Sequence, residues 1–184
     1  RSTEQKTTLR FENQTRLGAW TLKEGAELNN SIYTNHSRQR LYGSHSGTLS
    51  IYETSLNIFG WGAFFSSDYT TADKRLALSA GIRMDGNTYN RKMRQLWKQF
   101  SPRLSASYKL SEQWTLSGST GLYHQLPPYT ALGYKDNEGQ YLNKNLKYMQ
   151  VFESSLGVDW HLQDRFMVSA EGFFKRYSLS LIHI

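Results

Sequence analysis

The chain has no cysteine among its 184 residues and only three prolines. Without cysteine there is no disulfide framework, no thiolate metal site and no cysteine nucleophile. It also has no run of about 18 apolar residues, which excludes a helical membrane span. Charge is sparse, with Asp, Glu, Lys and Arg together making 20% of residues, and mean hydropathy is −0.63. No signal segment precedes Arg1-Ser2-Thr3, so an exported chain of this kind is expected to have been processed or cut. No Ser–His–Asp order, glycine-rich phosphate loop or paired carboxylates stand out, and no catalytic residue is nominated. The histidines at 36, 45, 124, 161 and 183 lack ligand spacing. His36 and His45 share one expected loop, but solvated loop histidine is the simpler reading; no metal or cofactor is expected.

What the chain does have is aromatic residues, with 12 Tyr and 5 Trp, and a strict alternation of apolar and polar positions. Phe100, Pro102, Leu104, Ala106, Tyr108 and Leu110 fall on one side of a strand; Ser101, Arg103, Ser105, Ser107 and Lys109 fall on the other. Trp114, Leu116, Gly118 and Leu122 repeat the pattern against Gln113, Thr115, Ser117 and Ser119. So do Leu76, Leu78, Ala80, Ile82 and Met84 against Arg75, Ser79, Arg83 and Asp85. The wet faces contain small and charged residues that a sandwich core would exclude, whereas the watery interior of a membrane barrel suits them. A barrel also reconciles membrane insertion with polar mean hydropathy, because only every second strand residue meets lipid.

The pattern predicts eight strands, at Lys6–Arg16, Trp20–Tyr33, Leu56–Ser67, Leu76–Gly86, Phe100–Leu110, Trp114–His124, Tyr148–Trp160 and Phe166–Tyr177. Most are close to the ~9–11 residues a tilted strand needs to cross a bilayer. The connections alternate: short at Leu17–Ala19, Ser66–Arg75, Ser111–Gln113 and His161–Arg165, long at Thr34–Ser55, Asn87–Gln99 and Gln125–Lys147. Short periplasmic turns and long external loops are the sidedness signature of an outer-membrane barrel. Trp20, Tyr108, Trp114, Trp160 and Phe166 lie beside short connections on the apolar phase and read as a periplasmic aromatic girdle. Glu24 on the apolar phase, and aromatics on both phases of Leu56–Ser67, are misfits. Both chain ends fall on the external side of this scheme, so the chain is expected to be a barrel fragment. The fold class is therefore all-β: an antiparallel, up-and-down transmembrane β-barrel segment of about eight strands.

Three stretches give this reading a family. Phe64-Phe65-Ser66-Ser67-Asp68-Tyr69 through Gly81-Ile82-Arg83-Met84-Asp85 resembles a strand–turn–strand element of TonB-dependent outer-membrane receptors, Bacteroidota type. Phe100-Ser101-Pro102-Arg103-Leu104-Ser105-Ala106-Ser107-Tyr108 resembles another strand of that family. Tyr123-His124-Gln125-Leu126-Pro127-Pro128 resembles the family segment where a strand rises into an external loop, and Leu146–Trp160 the strand after it. The resemblance covers most of Leu56–Tyr177. It implies a barrel of about 22 strands filled by an N-terminal plug domain, and uptake of a large, scarce solute energised by the TonB complex. On that reading, residues 1–184 are a partial barrel domain, with plug, TonB-contacting region and closing strands outside them.

Position nominates the solute-binding residues, since long loops and the polar wall meet at the mouth of a barrel. Arg83, Arg103, Tyr123 and His124 fall at the upper lumen. Arg91, Arg94 and Lys98 surround Trp97 in one long loop and suit anionic groups, either of a solute or of lipopolysaccharide phosphates. Tyr129 opens a Tyr- and Asn-rich loop suited to stacking on sugars. The solute type stays open between siderophore, glycan and vitamin. Outer-membrane lipid, lipopolysaccharide and a surface lipoprotein are the other expected partners. Nucleic acid is not, despite a net charge of +7, because the basic residues do not coat one face. A passive porin-like or adhesin barrel without a plug is the alternative.

Overall fold

The computed structural model describes residues 1–41, 48–135, 139–162 and 166–178. They form one sheet of eight antiparallel strands in sequential order. The strands are β1 (Ser2–Leu17), β2 (Trp20–Leu41), β3 (Thr48–Thr70), β4 (Leu76–Asn87), β5 (Ser101–Lys109), β6 (Trp114–Gln125), β7 (Met149–Leu162) and β8 (Phe166–Ser178). Each strand pairs with its sequence neighbours, and among the described residues β1 and β8 do not pair with each other. The architecture is that expected from the alternation: an up-and-down meander without Greek-key crossings.

The tight turns follow from local chemistry. Gly18 takes φ +60° between Leu17 and Trp20, a left-handed value that glycine adopts without steric cost. After β3, the Thr71 hydroxyl accepts the Leu76 amide at 3.0 Å and the Asp73 carboxylate accepts the Arg75 amide at 3.1 Å. Before β6, the Ser111 hydroxyl accepts the amides of both Gln113 and Trp114 at 3.2 Å.

Register lines the apolar residues up on one face. Leu78 pairs with Ala106, Ala80 with Leu104, Leu116 with Val158 and Leu122 with Phe152. Leu78, Leu104, Leu116 and Leu156 are exposed on that face, as a surface meant for lipid requires. The opposite face carries the pairs Ser79–Ser105 and Ser105–Ser119, the Ser119–Ser155 hydroxyl contact at 3.0 Å and the Glu153–Lys175 ion pair at 3.2 Å.

Two aromatic bands bound the apolar face. Trp20 packs on Tyr69 with ring centroids 4.7 Å apart, and Trp114 on Trp160 at 6.1 Å, beside the tight turns. Near the other rim, Phe59 packs on Trp61 at 6.3 Å and Phe152 on Phe174 at 6.5 Å. The eight to ten strand residues between the bands span about 20–25 Å, at ~3.3 Å per residue and a tilt of ~40°. That is the height of the lipid-facing band of an outer-membrane barrel.

The misfits resolve individually. Glu24 does lie on the apolar face, where its carboxylate accepts from the Asn13 amide across the β1–β2 pair at 3.3 Å. Phe64 of β3 turns inward, beneath the Arg10 guanidinium at 4.9 Å. Opposite it sits Gly25, where an added Cβ would stand 2.5 Å from both the Phe64 ring and the Phe11 carbonyl oxygen.

One expected boundary is corrected. The segment Thr34–Ser55 is not a long loop: β2 and β3 stay paired up to Leu41 and Thr48. The two strands have 22 and 23 residues, against 12 and 9 for β4 and β5. The hairpin therefore stands well above the bilayer, beyond the lipid that imposes the alternation.

Candidate functional site

The two other long connections do behave as loops, and they fold together. The β4–β5 loop (88–100) ends in a 3₁₀ turn, Leu96–Gln99, and the β6–β7 loop (126–148) contains one helical turn, Tyr129–Leu132. The Tyr89 hydroxyl reaches from the first loop to the second, 2.8 Å from the carbonyl oxygen of Leu132 and 3.0 Å from that of Asn143. The Asn90 amide donates to the carbonyls of Lys144 and Leu146 at 3.0 and 2.7 Å. Asn87 donates to the Tyr148 hydroxyl at 2.9 Å. Met93 and Leu132, both fully buried, then pack with Tyr148 against Tyr33, Leu56 and Ile58. The last three are on the inner face of the β2–β3 hairpin, so the joined loops lie over the inner wall. Burial pushes the Tyr148 phenol up to about 12 and raises that of Tyr89 for the same reason.

Below this cover the inner wall is concave. A cavity of about 520 Å³ is lined by polar side chains of Arg10, Ser79, Arg83, Arg103, Ser105 and Tyr123, among others. Arg83 is committed to carboxylates, with Nη2 2.7 Å from Asp85 and 3.8 Å from Glu27. Arg103 is not. Its guanidinium lies 4.6 Å from the centroid of the Tyr123 ring, and among the described residues no carboxylate comes within ion-pair distance. Gly121 keeps room for the pair, since a Cβ there would stand 3.1 Å from the Tyr123 ring and 3.2 Å from Arg103 Cγ.

The nominated residues thus fall into separate places. Arg83, Arg103 and Tyr123 share the inner-wall cavity. His124 does not line it; its Nδ1 is 2.9 Å from the Ser101 hydroxyl. Arg91 and Arg94 line a second cleft, of about 490 Å³, in the β4–β5 loop, and Lys98 stands exposed on the 3₁₀ turn. Tyr129 is stacked on Tyr33 with centroids 5.8 Å apart, so one of its ring faces is occupied within the loop core. Arg10 was not nominated: β1 lies outside the stretches that resemble the family, and only the sheet brings it to the cavity. His36 pairs with Glu53 at 2.6 Å, while His45 lies outside the described residues. Among the described residues no three His, Asp or Glu side chains group as metal ligands.

A family model described as "TonB dependent receptor-like, beta-barrel" matches residues 1–178. The chain belongs to that family. This TonB-dependent receptor barrel is of an outer-membrane type, and its family and fold are those of transport receptors rather than enzymes. Among solved structures it is similar to a mutant of the ferric enterobactin receptor of Pseudomonas aeruginosa, with TM-score 0.71 and 18% identity, over 96% of this chain and 27% of that one. It is also similar to the siderophore receptor PirA of Acinetobacter baumannii, with TM-score 0.66 and 16% identity, over 95% of this chain and 27% of that one. A third structure, the copper transporter OprC, gives TM-score 0.66 and 16% identity, over 95% of this chain and 30% of that one. The TonB-dependent receptor barrel described here thus spans less than a third of the length of these structures, and at such identities the likeness is one of fold. Comparison with curated proteins gives no match.

Proposed function

We propose that this chain forms wall and outer rim of an importer that takes a large, scarce solute of siderophore, glycan or vitamin type across the outer membrane. In this reading the complete receptor closes its barrel with further strands, holds a plug domain in its lumen and is energised by the TonB complex through an N-terminal region. A surface lipoprotein that hands over solute fits the same arrangement.

The Arg103–Tyr123 pair carries the proposal. The ring holds the guanidinium in place by cation–π attraction while leaving its in-plane N–H donors directed at the cavity rather than at a protein carboxylate. Such a pair offers charge-assisted hydrogen bonds to carboxylate, phosphate or hydroxyl groups, and an aromatic surface beside them. The wall serines add neutral donors and acceptors. The structural neighbours named for siderophores support the solute class.

The test uses the complete receptor with Arg103→Ala or Tyr123→Ala. Losing charge-assisted hydrogen bonds costs roughly 1.5–3 kcal/mol, so whole-cell solute binding should weaken by about tenfold or more while the barrel still inserts. Wild-type binding and uptake in both variants would refute the assignment.

A further inference from the structure

The basic β4–β5 loop does a different job from the cavity. Its height is fixed by the Thr88 amide, which donates to the Phe59 carbonyl at 2.9 Å, and by the Thr88 hydroxyl, which accepts the Phe59 amide at 3.0 Å. Phe59 belongs to the upper aromatic band. The loop therefore starts at the membrane–water boundary, and it returns to the wall at Phe100, which is exposed and shares the phase of lipid-facing Leu104. Because the neighbouring β2–β3 hairpin rises much higher, the β4–β5 connection is a notch in the rim.

Four cations lie in this notch, Arg91, Lys92, Arg94 and Lys98, and no acidic residue occurs between Asp85 and Glu112. None of the four forms an ion pair among the described residues. The hydrogen bonds from Asn90 bring Lys144 and its neighbours alongside and hold the loop in one shape. Trp97 is 80% exposed. The 3₁₀ turn explains why: Leu96 and Gln99, three residues apart, share its inner side, and Gln99 is buried. Trp97 and Lys98 are left on the outer side. An exposed Trp among lysines and arginines, level with an aromatic band, is what a membrane interface selects.

We propose that this notch is a docking site for the phosphate groups of outer-leaflet lipid headgroups, with Arg91 and Arg94 in the cleft and Lys98 beside them binding phosphate, and Trp97 entering the interface. The lipid chemistry required is anionic and phosphorylated, as in lipopolysaccharide. The site is fixed to the wall, so occupancy anchors this side of the rim at a set depth.

The experiment compares the complete receptor with Arg91→Gln/Arg94→Gln/Lys98→Gln and with Arg91→Lys/Arg94→Lys. Receptors are purified from outer membranes in mild detergent and assayed for co-purifying lipopolysaccharide phosphate, and whole-cell solute binding is measured in parallel. The neutral variant should retain about tenfold less phosphate at unchanged solute affinity, as expected when several headgroup-level cations are removed together. The lysine variant should keep most of it, because lipid phosphates accept point charges. Full phosphate retention by the neutral variant would overturn the proposal. So would loss of solute affinity with phosphate retained, which would assign the cations to the solute.

Discussion

At the scale of single residues, adjacent positions on a strand live in different solvents. Leu104 and Ser105 are consecutive, yet Leu104 stands exposed on the apolar, lipid-facing phase and Ser105 lies between Ser79 and Ser119 on the polar inner face. Replacing Leu104 with Arg puts a charge into hydrocarbon and should cost ~2–4 kcal/mol near the midplane. Replacing Ser105 with Arg should cost much less, since the added charge stays in the polar interior. Folding titrations of the complete barrel in lipid vesicles measure both, and equal costs would reverse the faces assigned here. Arg83 shows what sequence can predict at this scale. Its spacing of two from Asp85 places both on one face, and the structure joins them at 2.7 Å. The partner of Arg103 could not be read that way, because Tyr123 is brought to it only by the β5–β6 register.

At the scale of elements, the loop pair has its own chemistry. Tyr89→Phe should leave the carbonyls of Leu132 and Asn143 without their phenol donor, at a cost of ~1–3 kcal/mol to loop docking. Limited proteolysis of the complete receptor should then cut within 126–148 faster than in wild type, with the strands still protected. Alkali should weaken the same docking through a different residue, Tyr148, whose hydroxyl accepts from Asn87. The folded-state pKa of Tyr148 is raised from 10.0 to about 12, so the undocked phenol loses its proton first. The docking stability is complete below pH 10 and falls as pH rises towards 12. Tyrosinate absorbance followed together with proteolytic susceptibility checks the window, and Tyr148→Phe should remove the contribution of this residue. The strands themselves were legible because lipid on one side and water on the other impose period two. The upper halves of β2 and β3 were not: Asn35-His36-Ser37-Arg38 is polar on both faces, beyond the lipid that imposes the alternation. The loop core was hidden too, since Met93, Leu132 and Tyr148 come from three separate stretches of sequence that only the folded loops bring together.

At the scale of the whole molecule, the two outer strands of the sheet, β1 with 16 residues and β8 with 13, each have only one neighbour among the described residues. Expressed alone, the chain should associate through those edges, because a row of free backbone donors and acceptors recruits further strands. Light scattering of the refolded chain in detergent should give a mass above one copy; a stable monomer with full strand content would contradict the open sheet. The clasp between the β4–β5 and β6–β7 loops has a consequence for how such receptors diversify. A side chain of one loop satisfies backbone atoms of the other, so neither loop can be rewritten alone without stranding its neighbour's carbonyls. A graft of either loop from a related receptor should misfit, and a graft of both should take. What natural selection, or an engineer, can exchange on this rim is a single cartridge encoded in two separate stretches of sequence.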